Sequence, residues 1–336
     1  MASIRSIAKL SGVSKATVSR ILNHDETFSV SDETKKRVLD IAERLNYSLS
    51  NNVSKDNVQK LHIVIINCLT IDAETRDPYF STIKIGIEKQ AAIWGMTIAK
   101  EIHLPSPDYD FKELATFGAV IVIGTMTKEG VDRIHKYNQN IVIINDPRYF
   151  DGCDVIRNDF GYQTRRVLDL MKDKGYQNIA FIGGAVDMVD EKGHVKGSSL
   201  DSREQAYLDW MKLNDLQKYS NAQITDWRTE GAMKATKQVL AKEKPSAILV
   251  ASDPQAIGVY RAVQEAGYSI PNDIAVVSFD DIDMVKYLYP ALTTVRPAAE
   301  EMGKEAINLV RERVVDNRKA ALQVTINSTL VVRESL

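Results

Sequence analysis

Two adjacent carboxylates, Asp280 and Asp281, are the closest match in this chain to catalytic machinery. Paired carboxylates cleave glycosidic bonds, but such a pair must flank the bond from opposite sides, and neighbours in sequence are poorly placed for that. The segment IGGAVD is not a phosphate loop, because it lacks both GxGxxG and a P-loop lysine. The histidines at 24, 62, 103, 135 and 194 show no metal-ligand spacing. We therefore expect no catalytic residue, no metal site and no cofactor.

The stretch VSKATVSRILN, residues 13–23, has the composition of a nucleic-acid contact. Its polar residues surround a thin apolar stripe, and a helix that follows a Gly-containing turn and a first helix is the helix-turn-helix arrangement, whose second helix enters the major groove. That geometry predicts Lys15 and Ala16 as base readers and brings Arg20 within reach of a guanine. Short donors suited to phosphates are Ser14, Thr17, Ser19 and Asn23.

Three short helices must position these residues. Ser3, Ser14 and Ser31 can each cap a helix, and residues 11–13 form the tight turn between the first two. Apolar positions on the three helices predict one small core. On pattern alone, a small helical subdomain with a solvated face is an equally good interpretation.

Charge distinguishes the two interpretations. Residues 1–60 hold ten Lys/Arg and seven Asp/Glu, a net charge of +3, whereas the rest of the chain carries −5. No acidic residue precedes Asp25. A basic N-terminal segment on an acidic body favours contact of that segment with a polyanion.

The remainder of the chain alternates short apolar strands with helical patterns. Residues 48–60, SLSNNVSKDNVQK, are polar and predict a linker. Beyond them, runs such as LHIVII, GAVIVIG and NIAFIGG alternate with amphipathic segments, which is typical of parallel sheets covered on both faces. About eight such units are too many for one small sheet, so we predict two lobes with a ligand between them, beyond the carboxyl ends of the strands.

The predicted fold class is therefore a small all-α helix-turn-helix head joined to a two-lobed α/β body with parallel sheets. We predict a DNA-binding domain at 1–47, a hinge at 48–60 and an effector-binding and dimerisation domain at 61–336. The lobes should divide near 158–161, with late crossovers near 288–296 and 316–330.

Cys68 and Cys153 follow apolar runs and belong to no metal-binding motif, so we expect buried free thiols. The N-terminus lacks the apolar core of a signal peptide, and no apolar run is long enough to span a bilayer. We expect a cytoplasmic protein with no membrane partner.

The segment IRSIAKLSGVSKATVSRILN resembles the head of the lac repressor family, and the similarity continues through SDETKKRVLDIAERLNY, VASDPQAIGVYRAVQEAG, IPNDIAVVSFDDID, PALTTVRP and LVVRES. Within that family, RDPYF and TDWR are most similar to repressors of β-galactosidase and other galactoside operons. The resemblance implies a helix-turn-helix, a hinge and a body similar to periplasmic sugar-binding proteins. Thr34, Tyr47 and Val53 join the expected DNA contacts.

The resemblance also implies an effector pocket. Arg203 matches the arginine that grips sugar hydroxyls or an anionic ligand, and Asp280 matches the acidic acceptor for hydroxyls. Trp227 matches an aromatic that packs on the apolar face of a sugar. The other expected pocket residues are Tyr79, Phe80, Asn145, Ser252 and Asp253. Arg203 and Asp280 could instead form an ordinary ion pair, the three aromatics could be core residues, and Asp281 is expected to be structural.

The hinge departs from the family pattern. Family hinges usually insert a leucine into the minor groove and bend the DNA. No leucine occurs here between Leu49 and Leu61, and Val53 is the smaller candidate wedge. We therefore expect a smaller operator bend than is usual in the family.

The predicted function is transcriptional repression of a sugar-utilisation operon, specifically a galactoside operon. The repressor is a homodimer that a sugar releases from double-stranded operator DNA. One alternative is a global carbon catabolite regulator that acts with a protein co-regulator. Another is a regulator that needs an anionic or purine corepressor. A transport-type sugar-binding protein would fit the body but not the basic head.

Overall fold

The computed structural model describes residues 4–22, 28–44, 61–106 and 108–336. The chain divides into two compact units, the head (Met1–Lys60) and the body (Leu61–Leu336). No helix within the described residues is long and apolar enough to cross a membrane.

The head contains helices α1 (Ile4–Ser11), α2 (Lys15–Leu22) and α3 (Asp32–Arg44). Gly12 has a φ of +69°, a conformation that glycine adopts without strain, and it turns the chain between α1 and α2. The helices bury one apolar cluster, composed of Ile7, Ala8, Val18, Ile21, Leu22, Val38 and Ala42.

Serine caps begin two of these helices. The hydroxyl of Ser14 accepts a hydrogen bond from the Thr17 amide at 3.1 Å, and that of Ser31 accepts one from the Thr34 amide at 3.3 Å. Each cap satisfies a backbone donor that the first helical turn leaves unpaired. The predicted cap at Ser3 lies outside the described residues.

The body consists of two lobes, each built on a six-stranded sheet. The lobe 1 sheet has the order β13-β5-β4-β3-β1-β2 and is parallel throughout. Its strands are β1 (His62–Asn67), β2 (Thr97–His103), β3 (Ala119–Ile123), β4 (Ile141–Ile144), β5 (Asp154–Asn158) and β13 (Gln323–Ile326). Its helices are α4 (Ile71–Arg76), α5 (Pro78–Trp94), α6 (Lys128–His135) and α11 (Ala299–Val314).

The lobe 2 sheet has the order β14-β12-β11-β10-β6-β9, and only β14 runs antiparallel to its neighbour. Its strands are β6 (Ile179–Gly184), β9 (Asn221–Thr225), β10 (Ala247–Val250), β11 (Ala275–Phe279), β12 (Thr293–Arg296) and β14 (Thr329–Val331). Its helices are α7 (Phe160–Asp173), α8 (Ser202–Leu213), α9 (Thr229–Lys242) and α10 (Asp253–Glu265). A separate hairpin of β7 (Val186–Val189) and β8 (Val195–Ser199) is inserted between β6 and α8.

The chain passes between the lobes three times: from β5 to α7, from β12 to α11, and from β13 to β14. We expected one crossing near 288–296, but β12 still belongs to lobe 2 and the crossing follows Arg296. The strands at which the chain crosses lie at one edge of each sheet, β5 and β13 in lobe 1 and β12 and β14 in lobe 2.

The helical head and the two-lobed α/β body with parallel sheets confirm the predicted fold class. The prediction for the cysteines is met in part, because Cys153 is buried whereas Cys68 is half-buried, and both are free thiols. Burial raises the pKa of the Cys153 thiol to about 11.

Candidate functional site

The outer face of α2 displays most of the predicted DNA contacts. Lys15, Ala16 and Arg20 are exposed, and the Arg20 guanidinium lies 5.1 Å from the centre of the Phe28 ring. The buried side of the same helix is formed by Val18, Ile21 and Leu22. Burial of this apolar stripe therefore orients the helix so that its polar face points to solvent.

The smaller polar residues of the head have local roles as well. Ser14 is exposed, Thr17 and Ser19 are half-buried, and the hydroxyls of Ser14 and Thr17 lie 2.9 Å apart. Thr34 is half-buried, and its hydroxyl accepts a hydrogen bond from the Ser31 hydroxyl at 2.9 Å. Three further predicted contacts, Asn23, Tyr47 and Val53, lie outside the described residues.

A second group of polar residues lies where the two lobes of the body meet. We call it the interlobe site: Asp77, Tyr79, Asn145 and Asn158 from lobe 1, and Phe160, Asp201, Arg203, Trp227, Phe279 and Asp280 from lobe 2. Arg203 is buried, with 7% of its surface exposed. Its Nε and Nη2 donate to the two carboxylate oxygens of Asp201 at 2.7 and 2.8 Å, and its Nη1 donates to the carbonyl of Ala251 at 2.5 Å.

Asp201 also caps α8, because its carboxylate accepts a hydrogen bond from the Arg203 amide at 2.8 Å. Burial opposes ionisation of both partners, but the ion pair outweighs burial, lowering the pKa of Asp201 and raising that of Arg203. The guanidinium is thus a fixed charge. Three of its five N–H groups donate within lobe 2, which leaves donor capacity for a ligand.

Aromatic rings surround the Arg203 guanidinium. Its central carbon lies 4.7, 5.1 and 5.5 Å from the ring centres of Phe160, Trp227 and Phe279. The Trp227 indole donates to the carbonyl of Ala185 at 2.7 Å and packs on Gly184, where a Cβ would lie 2.4 Å from ring atoms. A side chain at position 184 would therefore displace this indole.

Lobe 1 contributes a hydrogen-bonded group centred on Tyr79, which is 6% exposed. The Tyr79 hydroxyl donates to Asn145 Oδ1 at 3.0 Å, and the Asn158 amide donates to both groups, at 3.2 and 3.1 Å. The Tyr79 ring lies 6.1 Å from that of Phe160, across the lobe boundary. Phe80 packs edge-on against Tyr79 at 5.1 Å.

Two half-buried carboxyls, Asp77 and Asp280, complete the interlobe site. Burial, reinforced by the charges of Asp77 and Asp253, raises the pKa of Asp280 well above its usual range. Burial also raises the pKa of Asp77, and the Arg203 charge opposes both shifts. Each carboxyl also accepts a backbone hydrogen bond: Asp77 from the Tyr79 amide at 3.0 Å, and Asp280 from the Asp253 amide at 3.3 Å. The site therefore presents acceptors from both lobes near one fixed donor.

Two other predicted pocket residues, Ser252 and Asp253, form their hydrogen bonds within lobe 2. Asp253 is fully buried, and its carboxylate accepts hydrogen bonds from the Ser278 hydroxyl, from the Thr294 hydroxyl at 2.9 Å and from the Ile282 amide at 2.9 Å. The Ser252 hydroxyl is buried and donates to Gln255 Oε1 at 3.2 Å. These contacts favour a supporting role, in which Asp253 positions the backbone beneath Asp280.

The structural role expected for Asp281 agrees with its contacts. Its carboxylate accepts hydrogen bonds at 2.6 Å from both Arg296 and Arg333, which joins the end of β11 to β12 and the C-terminal segment.

Sequence reasoning missed Asp77, Asn158, Asp201, Phe160 and Phe279 as members of the interlobe site. Asp77 and Asp201 carried a usable signal, because an Asp just before a helix start is a capping signature, and Asp77 also precedes a proline. The other three end a strand or begin a helix at a lobe boundary, and their proximity depends on tertiary structure.

A group of possible metal ligands lies elsewhere in lobe 1. Glu74, Glu101 and His103 place their ligand atoms within 4.8 Å of one another. The ammonium of Lys84 lies 2.8 Å from a carboxylate oxygen of each glutamate. The Lys84 ammonium therefore already supplies the positive charge that a metal ion would bring. The group is an ion-pair network within the protein.

Comparisons with known proteins identify both units. Residues 3–50 match the family model "Bacterial regulatory proteins, lacI family", and residues 168–336 match a periplasmic binding protein-like domain. The chain is 36% identical to the HTH-type transcriptional repressor MelR of Bacillus subtilis (strain 168), over 100% of this chain and 97% of that protein.

Solved structures of regulators share the fold. The transcriptional regulator CelR in complex with cellobiose has a TM-score of 0.69, at 19% identity and with 100% of each chain covered. The lac repressor dimer bound to operator and the anti-inducer ONPF has a TM-score of 0.64, at 19% identity, with 99% of this chain and 98% of that chain covered.

Proposed function

The chain belongs to the lacI family of bacterial regulatory proteins, and from this premise we propose that it is a transcription repressor released from its operator by a sugar bound at the interlobe site. It acts as a homodimer in the cytoplasm, on a pseudo-palindromic operator. Two heads related by a two-fold axis read two half-sites, so the symmetry of the operator reflects that of the protein.

The observation that carries the proposal is the setting of Arg203. A guanidinium fixed by Asp201 and enclosed by three aromatic rings offers directed donors beside apolar surface. Sugars present the complementary pattern, with hydroxyls around the rim of a ring whose faces are partly apolar. Carboxyl and amide oxygens from both lobes then accept hydrogen bonds from the remaining hydroxyls.

The charge of the interlobe site favours a neutral ligand. The one guanidinium of the interlobe site is already paired with Asp201, and Asp77 and Asp280 add no positive charge. An anionic corepressor would need unpaired positive charge there, because a buried charge without a partner is costly. This argues against the anionic alternative. Galactosides are the neutral sugars to test first, given the resemblance to galactoside-operon repressors.

A sugar panel in a thermal-unfolding assay tests the proposal. Full-length protein is heated with lactose, melibiose, cellobiose, sucrose or glucose 6-phosphate. A ligand at about one hundred times its Kd adds about 2.7 kcal/mol to the free energy of unfolding. We expect at least one neutral sugar to raise the Tm and glucose 6-phosphate to leave it unchanged.

The DNA arm of the test uses the same protein. Selection from random duplex DNA should yield a pseudo-palindromic site, and the sugar that raises the Tm should release the protein from it. Absence of a selected consensus would contradict repression. Operator binding that requires glucose 6-phosphate would favour the alternative of an anionic corepressor.

A further inference from the structure

The β7–β8 hairpin, residues 186–199, connects lobe 2 to lobe 1. It is inserted between β6 and α8 and is therefore covalently part of lobe 2. Its first strand, however, pairs with the segment after β3 in lobe 1. The Thr127 amide donates to the Val189 carbonyl at 2.8 Å, and the Val189 amide donates to the Thr125 carbonyl at 3.2 Å.

The side chain of Val189 enters the core of lobe 1. Only 7% of its surface is exposed, and it packs in the same cluster as Met126, Val131 and Ile134. Val195, paired with it on the other strand, is 57% exposed. One valine of the hairpin is thus buried in the opposite lobe, while the other faces solvent.

The tip of the hairpin also contacts lobe 1. Gly193, with a φ of +83°, sits so close to Pro105 that a Cβ would lie 2.5 Å from its Cα. The Arg133 guanidinium donates to Glu191 at 2.6 Å. The contact therefore combines backbone pairing, apolar burial and an ion pair.

Sheet order puts this contact away from the covalent crossings. The strands at which the chain crosses are β5 and β13, at one edge of the lobe 1 sheet, and β12 and β14, at one edge of the lobe 2 sheet. The hairpin instead leaves β6, next to the opposite edge of the lobe 2 sheet, and reaches β3, three strands in from the crossing edge of lobe 1. A rotation that opens the lobes about the crossings would therefore separate the two sides of this contact.

Both ends of the hairpin adjoin groups of the interlobe site. The Ala185 carbonyl, immediately before β7, accepts the hydrogen bond of the Trp227 indole. Asp201, two residues after β8, holds the Arg203 guanidinium. A movement of the hairpin is thus transmitted to the two side chains that the proposed function assigns to sugar contact.

We propose that the hairpin is a strap that holds the two lobes in the arrangement that encloses the effector, so that its undocking accompanies sugar entry and exit. The role in sugar exchange rests on the proposed function, whereas the docking itself does not. Weakening the contact should loosen the sugar without altering the head.

Two matched pairs of variants test the strap. Val189→Ala removes apolar contact with lobe 1, and Val195→Ala makes the same change on the exposed strand. Gly193→Ala adds a Cβ against Pro105, whereas Gly267→Ala adds one at a similar φ of +80° with no neighbour within 4 Å. Within each pair, the two variants make the same chemical change.

Hydrogen exchange followed by mass spectrometry measures docking without any ligand. We expect Val189→Ala and Gly193→Ala to speed exchange in peptides that cover 125–131 and 186–195, and the two controls to match wild type. If those peptides already exchange at the rate of an unstructured loop in wild type, the strap does not exist, whatever the sugar panel shows.

Release from operator then tests the role of the strap, with the panel sugar that most raises the wild-type Tm as the probe. We expect Val189→Ala and Gly193→Ala to bind operator normally but to need roughly three- to tenfold more of that sugar for half-release. Equal half-release concentrations despite faster exchange would refute the strap. A panel in which no sugar acts would instead refute the proposed function, while the exchange result on docking would stand.

Discussion

Arg203 is held in place before any ligand binds, and its substitution is therefore expected to affect stability as well as ligand binding. Its bonds to Asp201 and Ala251 fix the guanidinium, so little conformational entropy is lost when a sugar binds. The same bonds make Arg203→Ala a poor isolated test, because it leaves the Asp201 carboxylate without its cationic partner. Breaking a buried pair in this way costs about 3 to 5 kcal/mol.

Asp280 offers the more selective substitution. Because burial raises its pKa well above the usual range, Asn replaces a group that resists ionisation and conserves its shape. We expect Asp280→Asn to fold, to bind operator with wild-type affinity, and to need at least about tenfold more sugar for release. Titration of sugar into the operator complex measures this, with circular dichroism as the folding control. Release at wild-type sugar concentrations would place the pocket elsewhere.

Lys15 and Thr17 should differ in their effects on DNA binding. Lys15 is exposed near the start of α2, where it can reach base edges, whereas Thr17 is tied to the Ser14 cap and suits a phosphate contact. Replacing Lys15 with Ala should change the preferred half-site, at about 1 to 3 kcal/mol per lost base contact. Replacing Thr17 with Val should weaken binding to all sequences alike. Site selection with each variant checks this, and an unchanged consensus for the Lys15 variant would contradict it.

Asp253 should make stability depend on pH near neutrality. Burial raises its pKa to about 7 from an ordinary value of 3.8, although three donors oppose the shift. The folded state therefore binds the proton more tightly than the unfolded chain. The stability from this group is complete below about pH 4 and is lost as the pH rises through 7.

Substitution of Asp253 isolates this contribution. The stability of wild type minus that of Asp253→Asn should fall by about 1 to 3 kcal/mol between pH 5 and pH 8. Urea unfolding at both pH values measures the difference, with Asp209→Asn on the exposed side of α8 as the control. A difference that does not change with pH would mean that Asp253 is ionised throughout this range.

At the scale of elements, two helices of lobe 1 cross at a pair of glycines. A Cβ on Gly303 of α11 would lie 2.0 Å from the Ile83 carbonyl oxygen, and one on Gly86 of α5 would lie 2.0 Å from the Glu300 carbonyl oxygen. In an unobstructed helix, Gly→Ala adds about 1 kcal/mol of stability. Here we expect Gly303→Ala to lower the free energy of unfolding by about 1 to 3 kcal/mol, because the helices must move apart. Urea unfolding decides the sign, and a stabilised variant would mean that the crossing is loose.

The elements that sequence predicted best are those with strong apolar runs. The segments that became β1, β3, β4, β6, β10 and β11 are apolar and largely buried, as expected of central parallel strands. The β7–β8 hairpin was not predicted, because VDMV and VKGSS lack an apolar run and most of their residues are exposed or half-buried. Its stability comes from docking on lobe 1, which no local pattern encodes.

The same distinction holds for the interlobe site. The family resemblance predicted Arg203, Trp227 and Asp280. The structure places the central carbon of the Arg203 guanidinium 5.1 Å from the centre of the Trp227 ring. Phe160 and Phe279 were not predicted as site residues, because aromatic residues beside strands usually indicate core packing. Their role as walls around the guanidinium follows from the meeting of the lobes. Strand order and crossings decide that arrangement, and neither is readable from short-range periodicity.

At the scale of the whole molecule, each lobe contains an Asp-x-Arg clamp in which the guanidinium donates to both carboxylate oxygens. In lobe 1, Asp146 accepts hydrogen bonds from the amide and guanidinium of Arg148, which also donates to the carbonyl of Met126. Asp201 and Arg203 repeat the pattern in lobe 2. The lobe 1 arginine contacts the Met188 sulfur of the hairpin at 3.1 Å, so both clamps lie along the path that links the interlobe site to the strap.

A sugar that releases DNA must favour one arrangement of this molecule over another, and thermodynamics makes that preference reciprocal. If sugar lowers operator affinity by some factor, operator must lower sugar affinity by the same factor, typically about 5- to 150-fold. We expect calorimetric titration of the active panel sugar to give weaker binding in the presence of saturating operator duplex than with a scrambled duplex of equal length and salt. The ratio of the two sugar Kd values should equal the ratio of operator Kd values measured with and without saturating sugar. An unchanged sugar Kd on the operator would mean that the free and operator-bound protein bind the sugar equally well, so that sugar binding does not drive release.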